Sequence, residues 1–175
     1  WEAEDTTVYA LEGSVFVAGS AVQWLRDSMG LIVKAEDVET MARQVDSTDG
    51  VVFVPAFVGL GAPYWDDRVR GAVFGMTRGT TSSHLARAVL SSIALQSADV
   101  LFCMAEESGI PVRRLLADGG ASENDLLMQM QADYTDVTVV RGETEATAKG
   151  ASLFAAIGAG RLSMEEAAAY SSRKE

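Results

Sequence analysis

The sequence has little of what carries most metal, redox and phosphate chemistry. It holds one cysteine, Cys103, and one histidine, His84, in 175 residues. A lone cysteine rules out an internal disulfide framework and suits a reducing cytosol, so a cytoplasmic location is expected. One His and one Cys make no credible zinc site. Positive charge is scarce: 14 Lys and Arg against 25 Asp and Glu give a net charge of −11. That balance argues against nucleic acid and against an anionic membrane surface as partners. No uninterrupted apolar run approaches the ~20 residues needed to span a bilayer. The start shows no n-region and h-region pattern. A Gly-x-x-x-x-Gly-Lys-Ser/Thr loop, an internal repeat and a low-complexity tract are all missing. The chain opens at Trp1 rather than Met, so a piece of a longer protein is expected.

What is present fits an α/β domain. Hydrophobic residues make up 48% and charged residues 22%, enough for one well-buried core. Residues 7–17 read as extended and β-branched. Ala18-Gly19-Ser20 then opens a helix to about Met29, with Ala21, Val22, Leu25 and Met29 at helical spacing and Gly30 as its stop. A short acidic helix is predicted over 35–45. Val51 to Val58 reads as a buried strand, then a loop over 59–67, and Gly71 to Met76 as a second strand. Ser82 or Ser83 can cap a long helix to about Glu107, with Leu85, Val89, Ile93, Val100 and Met104 on one face and Ala88 and Leu101 widening it. Arg114 to Ala117 and Val137 to Val140 read as strands. Asn124 to Asp133, Ala146 to Ala156 and Met164 to Tyr170 read as helices. Helices alternating with short apolar strands point to a sheet with covered faces.

The richest stretch is Leu115-Leu116-Ala117-Asp118-Gly119-Gly120-Ala121-Ser122. An apolar strand runs into an acid, two glycines and two small residues, and a helix follows. Glycine lets a ligand lie directly on the backbone. Asp118, Glu123 and Asp125 are acidic, and no Lys or Arg lies between Arg114 and Arg141. A site for bare phosphates usually wants positive charge at such a helix start, so this junction suits a nucleoside better. A plain tight turn would use the same two glycines. Ser122-x-x-Asp125 matches a capping box, Asn124 stands in the first turn, and Leu126, Leu127, Met130 and Tyr134 would anchor the helix. Gly19 sits at a second strand-to-helix junction with Gln23 four residues on, on the same face. Taken alone, that pair is better explained by close helix packing at Gly19 and a solvated Gln23.

Other features read as structural. Gly59-Leu60-Gly61 is not a dinucleotide fingerprint, because Tyr64 stands where the third glycine belongs and Pro63 breaks the required helix. His84 reads as a surface or capping residue, Cys103 as a small buried hydrophobe, and Tyr64-Trp65 as packing for its loop. The small-residue segment 145–152 suits close helix packing at a hinge.

Taken together, these pieces resemble the C-terminal domain of the glycerol kinases, within the carbohydrate kinase family that shares the ribonuclease H-like, actin-like ATPase fold. The resemblance rests on Tyr9-Ala10-Leu11-Glu12-Gly13, Ala18-Gly19 with Gln23-Trp24-Leu25-Arg26-Asp27, and Val54-Pro55-Ala56-Phe57. It continues through Gly59-Leu60-Gly61-Ala62-Pro63-Tyr64-Trp65-Asp66 and Arg70 to Gly79, then Asp118-Gly119-Gly120-Ala121 with Asn124, and residues 145–151. It covers nearly the whole chain. Pentulose and gluconate kinases tend to carry Gly-Glu-Arg where Leu60-Gly61-Ala62 stand. One place departs: the family signature starting at Gly71 ends in an acid or amide, and here Ser91 holds that position.

The resemblance implies an α/β domain with a mixed central sheet and helices on both faces, spanning residues 1–175. It implies that Gly19, Gln23, Gly120 and Asn124 contact nucleotide, that this half binds the adenosine side of ATP or ADP, and that it holds no catalytic residue and no metal ligand. Glycerol would bind through an N-terminal domain that is missing here, and phosphoryl transfer would need Mg²⁺. A homo-oligomer is left open. Two other readings stand beside this one: a kinase of the same family for another polyol or sugar, and a non-catalytic actin-like module that only holds nucleotide.

Overall fold

The computed structural model describes residues 2–3, 6–7, 9–142 and 145–170. Two compact units divide the chain, Trp1–Val112 and Arg113–Glu175.

In the first unit, β1 (Glu2–Ala3) pairs antiparallel with β2 (Thr6–Thr7). Helices α1 (Gly19–Asp27) and α2 (Asp37–Ala42) follow. Next, β3 (Val52–Val54) pairs antiparallel with β4 (Ala72–Phe74) in the register Val52↔Phe74, Phe53↔Val73, Val54↔Ala72. The long helix α3 (Ser82–Ser108) closes the unit and packs against α1, α2 and β3. Its middle is buried on every side: Ala86, Ala88, Val89, Leu90, Ser91, Ser92, Ile93 and Ala94 are all inside. An amphipathic stripe was expected, and small residues at Ala86, Ala88, Ser91, Ser92 and Ala94 explain the difference. They let neighbours approach from directions that a polar face would have kept open.

Hydrogen bonds fix these neighbours to α3. Arg87 Nη1 donates to the carbonyls of Ala42 (3.3 Å) and Val45 (2.9 Å), and Ser83 Oγ donates to Gln44 Oε1 (2.8 Å). Gln96 Nε2 donates to the Val17 carbonyl at 3.1 Å, just ahead of α1. By length and composition α3 could cross a bilayer, although it contains no uninterrupted apolar run of that length. Half of its most apolar stretch is buried inside the unit, as in the core helix of a globular fold.

Several sequence boundaries need correction. Residues 9–17 form no strand: the ladder stops at Thr7, and Tyr9 and Leu11 are exposed. Val8 lies outside the described residues. Gly13 instead lies on α3, where an added Cβ would overlap Val100 Cγ1. The strand expected over 51–58 is only three residues long and two-faced, with Phe53 buried and Val52 and Val58 exposed. An antiparallel hairpin needs only one covered face. The cap of α3 is Thr81, not Ser82 or Ser83. Thr81 N–H donates to His84 Nδ1 at 3.1 Å, which makes His84 the capping residue it was expected to be. Cys103 is half-buried rather than fully buried. Gly109 caps α3 with φ +66°, but α1 ends at Asp27 with Ser28 as its cap, two residues before Gly30 (φ +62°).

Residues 59–67 form an ordered loop. Leu60 and Asp66 bridge to each other, and no helix follows Gly61, as Pro63 required. Trp65 meets Phe16 edge-on at 6.3 Å. The Tyr64 hydroxyl donates to Asp99 Oδ2 of α3 at 2.7 Å, tying the loop tip to the helix.

In the second unit, β5 (Arg114–Ala117) pairs in parallel with β6 (Thr138–Arg141), from Arg114↔Thr138 to Ala117↔Arg141. Between them a 3₁₀ turn (Gly120–Glu123) leads into α4 (Asp125–Thr135), which packs on β6. Helices α5 (Ala146–Gly158) and α6 (Met164–Ala169) complete the unit. Among the described residues α5 buries no side chain, and Phe154 is exposed. The described strands thus make three two-stranded ladders, two antiparallel and one parallel.

The Tyr64–Asp99 hydrogen bond holds the phenol above its ordinary pKa, with burial and the Asp99 charge adding to the effect. A group raised in the folded state stabilises fully below its unfolded value, about 10 for tyrosine, and the gain fades as pH climbs through the folded value. Urea unfolding followed from pH 8 to 11 should therefore show a loss of stability above pH ~10 that is smaller in Tyr64→Phe.

Candidate nucleotide-binding surfaces

Gly19 is the first residue of α1, and Gln23 lies one turn further along the same face. Both are exposed. Val22 and Leu25 face the core, and Trp24 stacks with Phe53 and Phe57 at 5.5 Å each. Those contacts set the rotation of α1 and leave Gln23 pointing outward, with no side-chain hydrogen bond of its own among the described residues. The N-cap, Ala18, supplies no side-chain acceptor to the first turn of α1.

Close packing does not account for Gly19. An added Cβ would meet no atom within 4 Å, and the backbone is not left-handed there. The contrast with other glycines is sharp. Gly59 has φ +90° and a Cβ would sit 2.7 Å from Asp67 Cα, and Gly75 has φ +76° against the Gly50 carbonyl. Their glycines are required by the fold, and Gly19 is not.

In the second unit β5 ends at Ala117, and Gly119 turns the chain with φ +80°. Gly120 then opens the 3₁₀ turn, exposed, again with nothing within 4 Å of an added Cβ and no left-handed backbone. The helix does not begin at once, as the sequence suggested. The turn comes first, and Asn124 ends it as the N-cap of α4, its Oδ1 accepting from Leu127 N–H at 2.8 Å. The expected Ser122-x-x-Asp125 box is absent: Ser122 is buried, and its Oγ donates to the Gly119 carbonyl at 2.7 Å, bracing the turn from inside. Capping occupies the Asn124 oxygen and leaves its Nδ2 donor without a partner among the described residues. Leu126, Leu127 and Met130 anchor α4 as expected, while Tyr134 stays exposed.

Each junction thus offers an unobstructed, Cβ-free backbone with a side-chain amide four residues on. That pairing presents a flat surface beside a hydrogen-bonding amide. Sequence spacing did not reveal one further residue. Arg141, at the end of β6, reaches Asp125 in the first turn of α4 at 2.6 Å, so the acidic junction does hold one cation. Only the parallel register, which sets Arg141 beside Ala117, reveals it. Among the described residues no group of three His, Cys, Asp or Glu side chains could hold a metal ion.

These elements define an α/β protein of the actin-like ATPase fold. The chain belongs to the FGGY family of carbohydrate kinases, whose C-terminal domain profile matches residues 2–159. It is 57% identical over 161 residues to a glycerol kinase of Burkholderia vietnamiensis, covering 91% of this chain and 32% of that protein. It is 53% identical over 172 residues to a glycerol kinase of Aromatoleum aromaticum, covering 97% and 35%. Among solved structures, Plasmodium falciparum glycerol kinase with ADP superposes with a TM-score of 0.78 at 33% identity, covering 86% of this chain and 30% of that one. The chain spans about a third of the length of the curated relatives it matches.

The Asn124 cap generates a stability test. Asn124→Ala should lower the unfolding free energy by about 1 kcal/mol in urea titrations, while Asn124→Asp, which keeps an acceptor at the cap, should retain most of it.

Proposed function

We propose that this chain is the C-terminal, nucleotide-binding part of a cytoplasmic kinase that transfers the γ-phosphate of ATP to glycerol, giving sn-glycerol 3-phosphate. Gly19 with Gln23, and Gly120 with Asn124, would each contact the adenosine portion of ATP or ADP. The carrying observation is that neither fold nor backbone conformation requires glycine at positions 19 and 120, yet both stand open and exposed at the start of a helical turn with a side-chain amide four residues on. A ligand lying on the backbone supplies the missing reason. Relatives named glycerol kinase at 53–57% identity support glycerol as the acceptor.

The division of work follows from the residues. The Gln23 amide and the Asn124 Nδ2 can hydrogen-bond a ribose or base, and the glycines give room for it. A net charge of −11 does nothing to neutralise a triphosphate. Phosphoryl transfer depends on positioning and on neutralising charge around the γ-phosphate, and those groups would come from the rest of the parent enzyme. Mg²⁺ fits poorly to this chain alone, since the described residues offer no ligand cluster. We therefore assign this segment the binding and orientation of the nucleotide.

In the full-length enzyme, Gly19→Ala and Gly120→Ala should leave thermal stability unchanged and raise the KM for ATP by about tenfold, the scale of a methyl group forced into a filled contact. Asn124→Asp should raise it as well while keeping the helix cap. The KM for glycerol should not move. Unchanged nucleotide affinity in both glycine variants would remove the basis of this reading. The isolated 175-residue chain should show no glycerol phosphorylation in a coupled assay.

A further inference from the structure

We infer that Arg141 is a positioning residue for nucleotide binding, acting through Asp125 to hold the turn that carries Gly120 and Asn124. This inference rests on the nucleotide reading of that turn.

The turn is clamped at both ends by Arg141, the last residue of β6, and Gly142, the residue after it. On the strand side, Gly142 N–H donates to the Ala117 carbonyl at 2.7 Å, which extends the ladder by one bond where the chain leaves β5. On the helix side, Arg141 Nη2 meets Asp125 Oδ1 at 2.6 Å. Residues 118–124 therefore run between two neighbouring anchors on one strand end. Asp125 directly follows Asn124, so the pair sets the first turn of α4 at the residue that both caps the helix and offers its Nδ2 outward.

Electrostatics argue that this placement has a purpose beyond folding. A cation near a helix N-terminus opposes the helix dipole. Asp125, in the first turn, suits that dipole and offsets Arg141. The side chains are 34% and 68% exposed, so the pair adds little to global stability. Its effect falls on the local geometry of the turn, and a guanidinium restricts that geometry more than a flexible ammonium does.

The test uses the full-length kinase with Arg141→Met, Asp125→Asn and the double variant, reading the KM for ATP, kcat, the KM for glycerol and the melting temperature. Each single variant should raise the KM for ATP about two- to fivefold, the range a partly exposed pair can supply. The double variant should be no worse than either single, and kcat, the glycerol KM and the melting temperature should hold. Arg141→Lys should recover part of the loss, and high salt should narrow the gap to wild type. Gly120→Ala is the control for the underlying reading. A raised KM in Arg141→Met with none in Asp125→Asn would overturn the inference, pointing to direct contact between Arg141 and nucleotide. No change in either while Gly120→Ala is impaired would overturn it as well. No change in all three would remove the nucleotide reading and the inference together. Should Arg141→Met not fold, Asp125→Asn decides alone.

Discussion

Burial of the middle of α3 on all sides is the constraint on which the first unit depends. A helix that must meet neighbours in every direction cannot carry large side chains everywhere: Ser91 and Ser92 stand between Leu90 and Ile93, and Ala86, Ala88 and Ala94 flank them. Burying Ser91 and Ser92 requires partners, and Ser92 Oγ meets its need within the helix by donating to the Val89 carbonyl at 2.7 Å. With α3 fixed, α2 is held through Arg87 and Ser83, β3 lies against it, and Gln96 ties down the entry to α1. The exposed start of α1 is thus held in place by a helix that carries none of the proposed ligand contacts.

The glycines show how structural and ligand demands separate. Gly30, Gly109 and Gly119 adopt backbone that other residues resist, and Gly13 and Gly59 stand where a side chain would collide. Gly19 and Gly120 meet neither demand. Both occur at the start of a helical turn, and both precede an amide by four residues. Open space at a helical glycine is not diagnostic alone, since Gly150 in α5 is equally unobstructed. The combination of open backbone, turn position and nearby amide sets the two apart.

Much of this was legible in the sequence, for identifiable reasons. The helices read well because apolar spacing and glycine stops report local geometry, as at Gly109. The strands read less well. Residues 9–17 have strand-like composition but form no strand, meeting α3 at Gly13 and Val17, and Val52 looks as apolar as Phe53 while facing the opposite way. Strand pairing depends on partners elsewhere in the chain, which composition does not encode. Gly19, Gln23, Gly120 and Asn124 were each visible as polar or glycine positions at junctions. The cap was misplaced onto Ser122 because a box pattern assumes that the helix starts at once, and the intervening 3₁₀ turn shifts the start by two residues. Arg141 was invisible because its pairing spans 16 residues and needs the parallel register.

The shift of the cap from Ser122 to Asn124 changes the chemistry of the junction. Had Ser122 capped α4, the Asn124 amide could have turned freely in solvent and would lose entropy on meeting a ligand. Used as the cap, its oxygen is held by Leu127 N–H, and that bond fixes the rotamer and aims the Nδ2 donor before any ligand arrives. Ser122, released from capping, braces the Gly119 carbonyl beneath the turn. Asn124 thus opens α4 and presents a preset donor, and under the proposed reading its cost in binding entropy would be met when the protein folds. Gln23 has no such restraint among the described residues. The two amides therefore differ in kind: Asn124 is preorganised by its cap, and Gln23 would adjust to a ligand if α1 holds one, as proposed.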